Sequence, residues 1–111
     1  MPELRQAVDD YLHRCFASEA TPRVSELATL LGIPREKLSR AFAAEQGTSL
    51  SAYLKRRQLA HAEGLLETSA LSTTRIGYLS GFGTRRTFYR AFRRDTGMSP
   101  DQYRRIHARK S

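Results

Sequence analysis

The side chains with the clearest chemical capacity in this sequence are arginines, and they are unevenly distributed. Residues 1–34 carry three Lys or Arg against five Asp or Glu, whereas residues 35–111 carry sixteen against six. A guanidinium is planar and always charged, and its paired N–H donors match phosphate oxygens and the O6 and N7 acceptors of guanine. The net charge of +8 is typical of a nucleic-acid-binding domain. Charge alone also fits a solubilising surface or attraction to an acidic membrane.

The arginines of residues 84–95 are spaced so that they share one face of a helix. Phe88 and Phe92 lie four residues apart, the spacing of a buried stripe, with Ala91 beside them. The opposite face, taken at i, i+3, i+4 and i+7, carries Arg86, Tyr89, Arg90 and Arg93. Such a helix can bury one side in its own domain and present the other to the major groove of DNA.

Apolar residues at helical spacing, bounded by Gly, Pro and Ser, predict the elements that position these arginines. The predicted helices run over residues 3–17, 24–31, 35–46, 50–67, 73–80, 84–95 and 100–108. The third is expected to bury Leu38, Ala41 and Phe42. No segment alternates with period two, so the prediction is an all-α fold of seven helices.

The two halves of the chain resemble each other. Arg40-Ala41-Phe42 recurs fifty positions later as Arg90-Ala91-Phe92. The same offset relates Gly47 to Gly97, Ser49 to Ser99 and Tyr53 to Tyr103. Upstream, Ala28 and Gly32 match Gly77 and Gly81. In each pair, the first is a small residue where two helices cross closely, and the second is a glycine that begins the turn. Each copy therefore predicts a helix-turn-helix motif followed by a basic helix.

The sequence resembles the AraC family of bacterial transcription regulators over nearly its whole length. The residues that carry this resemblance are Leu27-Ala28, Gly32-Ile33, Leu38-Ser39-Arg40, Phe42, Gly47, Tyr53-Leu54 and Leu65-Leu66 in the first half, and Gly81-Phe82, Phe88, Phe92, Gly97, Ser99-Pro100 and Tyr103-Arg104 in the second. The resemblance implies two homeodomain-like helix-turn-helix subdomains, residues 1–48 and 68–111, joined by a linker helix over 49–67. It also implies recognition helices 35–46 and 84–95 inserted in successive major grooves of an asymmetric site.

Positions matched to the family give the base-contact candidates, and the basic and hydroxyl side chains near them give the phosphate-contact candidates. The base-contact candidates are Arg35, Glu36, Ser39 and Arg40 in the first motif and Arg85, Arg86, Tyr89 and Arg90 in the second. The phosphate-contact candidates, which position the protein without reading sequence, are Lys37, Lys55, Arg57, Thr87 and Arg93.

Three positions depart from the family pattern. Gly77 replaces the usual alanine, which by helix propensity alone destabilises the fifth helix by ~1 kcal/mol. Pro34 stands in place of a serine cap, and Gln58 stands where the family pattern has arginine.

Several other residues have simpler interpretations. Cys15 lies in the apolar stripe of the first helix and is expected to be a buried thiol, while Tyr53 and Tyr103 are expected in the core with bonded hydroxyls. The three histidines show no metal-ligand spacing, and no cofactor is expected. The basic end of the chain is read either as solvated surface or as phosphate contacts; it comprises Arg104, Arg105, Arg109 and Lys110.

No cluster of paired carboxylates, nucleophile with a base, or Gly-rich phosphate loop predicts an enzyme. The sequence therefore predicts a sequence-specific DNA-binding regulator in the bacterial cytoplasm, with double-stranded DNA as partner and RNA polymerase as a second. The isolated domain is expected to be a monomer without an effector or dimerisation domain. The alternative is a basic helical module that binds an acidic protein surface, or DNA without sequence preference.

Overall fold

The computed structural model of the chain describes residues 2–108, and these residues form seven α-helices and no strand. In chain order the helices are α1 (Pro2–Ser18), α2 (Val24–Leu31), α3 (Arg35–Gln46), α4 (Leu50–Thr68), α5 (Thr73–Leu79), α6 (Arg85–Thr96) and α7 (Pro100–His107). The predicted all-α class with seven helices is confirmed. Arg109 and Lys110, assigned to the basic end, lie outside the described residues. No helix within residues 2–108 has the length and apolar character needed to cross a membrane.

Turn and cap residues shift the predicted helix ends by one position. The fifth helix ends at Leu79 instead of residue 80, because Ser80 already belongs to the turn. The predicted start of the sixth helix at Thr84 is wrong: Thr84 is the N-cap, and its hydroxyl accepts a hydrogen bond from the amide of Thr87 at 3.1 Å. The fourth and sixth helices end one residue beyond the prediction, at Thr68 and Thr96. The first helix extends one residue beyond it at both ends, and α7 ends one residue earlier.

A first hydrophobic core lies among α1, α2, α3 and the start of α4. It comprises Val8, Tyr11, Leu12, Cys15, Leu27, Ala28, Leu38, Phe42, Leu50 and Leu54. Cys15 is buried as predicted, and burial raises the pKa of its thiol. The predicted burial of Ala41 is wrong, because the inward stripe of α3 holds only Leu38 and Phe42 and leaves the neighbouring methyl exposed.

A second core lies among the rest of α4 and the helices α5, α6 and α7. Its buried residues are Leu59, Ala62, Leu66, Ile76, Phe82, Phe88 and Phe92. We refer to α1–α3 with α4 up to Leu54 as the first unit, and to α4 from Leu59 onward with α5, α6 and α7 as the second unit; the residues of α4 between Leu54 and Leu59 connect the two. The single helix α4 thus contributes its N-terminal part to one core and its C-terminal part to the other.

The two units repeat a half-buried contact between a tyrosine and a carboxylate. The Tyr53 hydroxyl donates to Asp9 of α1 at 2.6 Å, and the Tyr103 hydroxyl donates to Glu67 of α4 at 2.6 Å. Both tyrosines are half-buried against their cores with bonded hydroxyls, as predicted. In the second unit, therefore, α4 occupies the position that α1 occupies in the first.

Gly77 allows α5 and α6 to approach closely. A Cβ atom added at Gly77 would lie 2.8 Å from Cδ2 of Phe88 and 3.1 Å from its Cβ. These distances are shorter than a normal carbon–carbon contact, so the site has no room for the methyl of the alanine usual in the family. The expectation that Gly77 only weakens α5 is therefore incomplete, because the glycine also admits the Phe88 ring.

Candidate nucleic-acid interface

The first recognition helix, α3, presents a charged face away from its core. Leu38 and Phe42 are fully buried on one side. Of the predicted base-contact residues, Arg35, Glu36 and Arg40 are exposed and Ser39 is half-buried; Lys37, a predicted phosphate contact, is exposed. The N-cap residue Pro34 makes no side-chain cap bond, so the first amides of α3 are not capped by a side chain.

The second recognition helix, α6, is built in the same way but is more basic. Phe88 and Phe92 are fully buried and pack edge-on with ring centroids 5.6 Å apart. The predicted contact residues Arg85, Arg86, Thr87, Arg90 and Arg93 are exposed, while Tyr89 is half-buried. Both helices thus bury two large apolar residues four positions apart and leave arginine on the other side.

Tyr89 is directed toward the protein as well as the surface. Its hydroxyl lies 2.8 Å from the hydroxyl of Thr73 and donates to Asp101 at 2.8 Å, which ties α6 to α5 and α7. The guanidinium of Arg85 lies over the Tyr89 ring, 4.1 Å from its centroid. This cation–π contact restricts the Arg85 side chain. The predicted base contact of Tyr89 stays a prediction, and the structure gives the residue a supporting position beneath Arg85.

Arg57 is engaged inside the first unit. Its guanidinium donates to Asp9 at 2.6 Å and to the Tyr53 hydroxyl at 2.9 Å, and the side chain is 35% exposed. Burial by itself would lower the Arg57 pKa, but the hydrogen bond to Tyr53 and the Asp9 charge raise it. Its predicted phosphate contact stays a prediction and would compete with an existing ion pair.

An open cleft of about 430 Å³ is lined by residues of α4 and of the loop after α1, with one residue from each recognition helix at its border. Arg35 from the start of α3, Lys55 from α4 and Thr87 from α6 all line it. Arg23, which precedes α2, adds a further positive charge at its wall. The two recognition helices therefore border one basic concave surface, and three predicted contact residues from three helices meet there.

A neighbouring cavity of about 150 Å³ adds a residue that the spacing argument missed. Lys55, Thr87 and Arg90 line it together with Arg94. Thr87, Arg90 and Arg94 are spaced i, i+3, i+7 and so form a row along α6. This row is displaced around the helix from the predicted contact row, which runs from Arg86 to Arg93. A count of basic residues along every face of α6 would have found Arg94.

Arg104, assigned to a basic end, has a structural role. Its guanidinium donates to the carbonyl oxygens of Leu66 at 3.3 Å and Ser69 at 3.2 Å, next to the C-terminus of α4. Carbonyls at a helix end lack intrahelical partners, so a cation there stabilises the end. Arg105 is exposed.

Two helix-turn-helix motifs on opposite ends of a shared helix, each with a basic recognition helix, define the class: a double helix-turn-helix DNA-binding domain. The model of a helix-turn-helix domain family matches residues 27–106. The chain belongs to the AraC family of DNA-binding transcription regulators, as its sequence predicts.

Curated relatives agree with this assignment. The chain is 35% identical over 86 residues to the HTH-type transcriptional regulator Rv1931c of Mycobacterium tuberculosis, an alignment covering 78% of this chain and 33% of the relative. It is 29% identical over 106 residues to the HTH-type transcriptional activator RhaR of Salmonella schwarzengrund, covering 96% of this chain and 36% of that protein. The chain thus spans about a third of the length of these relatives.

Solved structures share the fold. The C-terminal domain of AraT, a response regulator from Geobacillus stearothermophilus, superposes with a TM-score of 0.89 at 28% identity, covering 100% of this chain and 90% of that one. The DNA-binding domain of AdpA, solved in complex with a target DNA, superposes with a TM-score of 0.83 at 27% identity, covering 93% of this chain and 90% of that one.

Proposed function

We propose that one copy of this domain binds one asymmetric DNA site, with α3 and α6 in successive major grooves, and so regulates transcription in the bacterial cytoplasm. The observation that carries the proposal is the basic cleft bordered by Arg35, Lys55 and Thr87, which relates both recognition helices to one surface. Successive major grooves on one side of B-DNA are ~34 Å apart, a distance that a two-motif domain can span. RNA polymerase is a further proposed partner.

The exposed residues divide into base and phosphate contacts. On α3, the Arg40 guanidinium can donate two hydrogen bonds to O6 and N7 of guanine, and the Glu36 carboxylate can accept a hydrogen bond from the N4 amine of cytosine. On α6, Arg85, Arg86 and Arg90 supply guanidinium groups to base edges. The proposed phosphate contacts are Lys37, Lys55, Thr87 and Arg93, together with Arg94.

Selection of bound duplexes from random DNA tests the proposal. We expect a bipartite, non-palindromic site with half-site centres ~10–10.5 base pairs apart. Mass measurement of the complex is expected to give one chain per duplex. A strict requirement for two chains on a palindrome would contradict the proposal.

The salt dependence of binding separates this function from a module that binds an acidic protein surface. If ~6–8 phosphates are neutralised, the slope of log K against log salt is expected near −5 to −7. Arg90→Ala should lower affinity for the selected site, whereas Arg14→Ala, which removes one exposed charge from α1, should have little effect. Equal affinity for selected and random duplexes at fixed salt would favour non-specific binding.

A further inference from the structure

The two units meet at a second contact besides α4. We call this contact the inter-unit interface; it comprises Glu19–Pro22 after α1, Gln58 of α4, Arg75 of α5 and the turn Ser80–Gly83 before α6. A Cβ added at Gly81 would lie 2.8 Å from Cδ of Pro22 and 3.1 Å from the carbonyl oxygen of Ala20. The loop after α1 therefore packs directly against the backbone of the turn in the second motif.

Gln58 joins α4 to the same turn. The side chain is 6% exposed, and its Nε2 donates to the carbonyl oxygens of Ser80 at 3.2 Å and Gly81 at 3.0 Å. Buried carbonyls that lose their donor are destabilising, so this amide holds the turn in one place. The turn leads into α6 within four residues, and a displaced turn must displace the second recognition helix.

An ion pair closes the outer side of the interface. Arg75 of α5 donates to both carboxylate oxygens of Glu19, at 2.8 and 2.9 Å. Glu19 has φ of 59°, the left-handed region that residues other than glycine seldom adopt. The amide of the next residue, Ala20, donates to the carbonyl oxygen of Cys15 at 2.9 Å, which fixes the loop at the end of α1.

We infer that the inter-unit interface fixes the orientation of α6 relative to α3, and that Gln58 is a positioning residue that sets the spacing between half-sites. Without these contacts the two units would be connected through α4 and through the stacked rings of Phe16 in α1 and His61 in α4, whose centroids are 4.1 Å apart. Neither connection touches α6, which could then turn with its motif. One base pair added or removed between the half-sites changes their separation by ~3.4 Å and rotates one half-site relative to the other by ~35° about the DNA axis. A protein with fixed units cannot follow that change. This inference rests on the proposed binding to two half-sites.

The test measures how affinity depends on half-site spacing. Binding of the wild-type domain, Gln58→Leu and Gln6→Leu is measured on the selected duplex and on duplexes with one base pair added or removed between half-sites. Gln6→Leu is the matched control, because Gln6 is exposed and its amide donates to Asp10 of the same helix at 2.9 Å.

For the wild type and for Gln6→Leu, we expect a one-base-pair change to weaken binding by ~100-fold, the loss of about two bidentate base contacts. For Gln58→Leu we expect the same one-base-pair change to weaken binding by less than ~10-fold, because the freed second unit can turn to follow its half-site. A Gln58→Leu variant with the wild-type ratio would overturn the inference. So would a wild-type domain that tolerates changed spacing. A selected site with only one half would instead contradict the proposed function.

A measurement without DNA keeps the inference testable if Gln58→Leu does not fold. Nitroxide labels at Ala44→Cys in α3 and Arg94→Cys in α6 report the distance between the recognition helices by electron–electron double resonance. The double variant Glu19→Gln, Arg75→Gln removes only the exposed ion pair. We expect a single narrow distance in the wild type and a broader distribution in either interface variant. Identical narrow distributions in the wild type and the variants would overturn the inference.

Discussion

The contact between Gly77 and Phe88 predicts that a substitution toward the family's usual residue is destabilising. Gly77→Ala favours the helix by ~1 kcal/mol, because alanine loses less backbone entropy than glycine. The new methyl would stand 2.8, 3.0 and 3.1 Å from three atoms of Phe88. One of these is the Cβ atom of Phe88, which cannot move without its helix. Overpacking of this kind costs ~1–3 kcal/mol, so the net change is expected to be a loss of ~0–2 kcal/mol.

Gly64 provides a matched control within the same fold. It lies in α4, is exposed, and a Cβ added there meets no atom within 4 Å. Gly64→Ala is therefore expected to stabilise the domain by ~1 kcal/mol, from helix propensity alone. The difference between the two variants in the free energy of unfolding, measured by urea titration followed by circular dichroism, gives the cost of the close contact.

A second substitution tests the cause directly. Phe88→Leu removes the ring, so Gly77→Ala should cost less in that background than in the wild type, giving a measurable coupling energy. If Gly77→Ala stabilises the domain as much as Gly64→Ala does, α5 and α6 do not pack as closely as described.

Three further predictions concern the core, the charges and pH. Phe92→Ala should lower the free energy of unfolding by ~3–5 kcal/mol, because it leaves a cavity in the second core. Ile106→Ala, at a site 67% exposed, should change it by less than ~0.5 kcal/mol. A Phe92→Ala variant that melts at the wild-type temperature would contradict this prediction. Arg90→Ala should reduce both the affinity for DNA and the slope of log K against log salt, because α6 is the more basic recognition helix. Arg40→Ala should mainly relax the base preference in one half-site, and a larger change of the salt slope for Arg40→Ala than for Arg90→Ala would contradict this prediction. Burial and the nearby His13 lower the pKa of His61, so the unfolded chain binds this proton more readily, and the free energy of unfolding should fall as pH drops below ~6.5. His61→Gln should flatten that fall in urea titrations at several pH values, and an unchanged profile would contradict the assignment.

Local signals made the helices predictable from the sequence. Ser49 and Ser99 each accept a hydrogen bond from the amide three residues on, and Gly47 and Gly97 end their helices with positive φ, as turn and cap residues do. The buried pairs in α3 and α6 likewise follow from their four-residue spacing. These features depend on neighbours within a few positions of the chain.

The contacts between the units could not be predicted in the same way. Gln58 meets Gly81 across 23 positions, and Glu19 meets Arg75 across 56. No periodicity relates residues so far apart, and Gln58 in the sequence only marked a departure from a family pattern. The orientation of Tyr89 was missed for a similar reason, because Thr73 and Asp101, which bind its hydroxyl, lie on two other helices.

The shared helix α4 has a consequence for how chain length can vary among homologues. One residue inserted between Leu54 and Leu59 would turn the second core by ~100° about the helix axis and shift it by ~1.5 Å. Seven inserted residues would nearly restore the direction but separate the cores by ~10.5 Å. Insertions and deletions that preserve the relation of the two recognition helices are therefore expected in the loop at residues 69–72, and not in the stretch of α4 between the two cores.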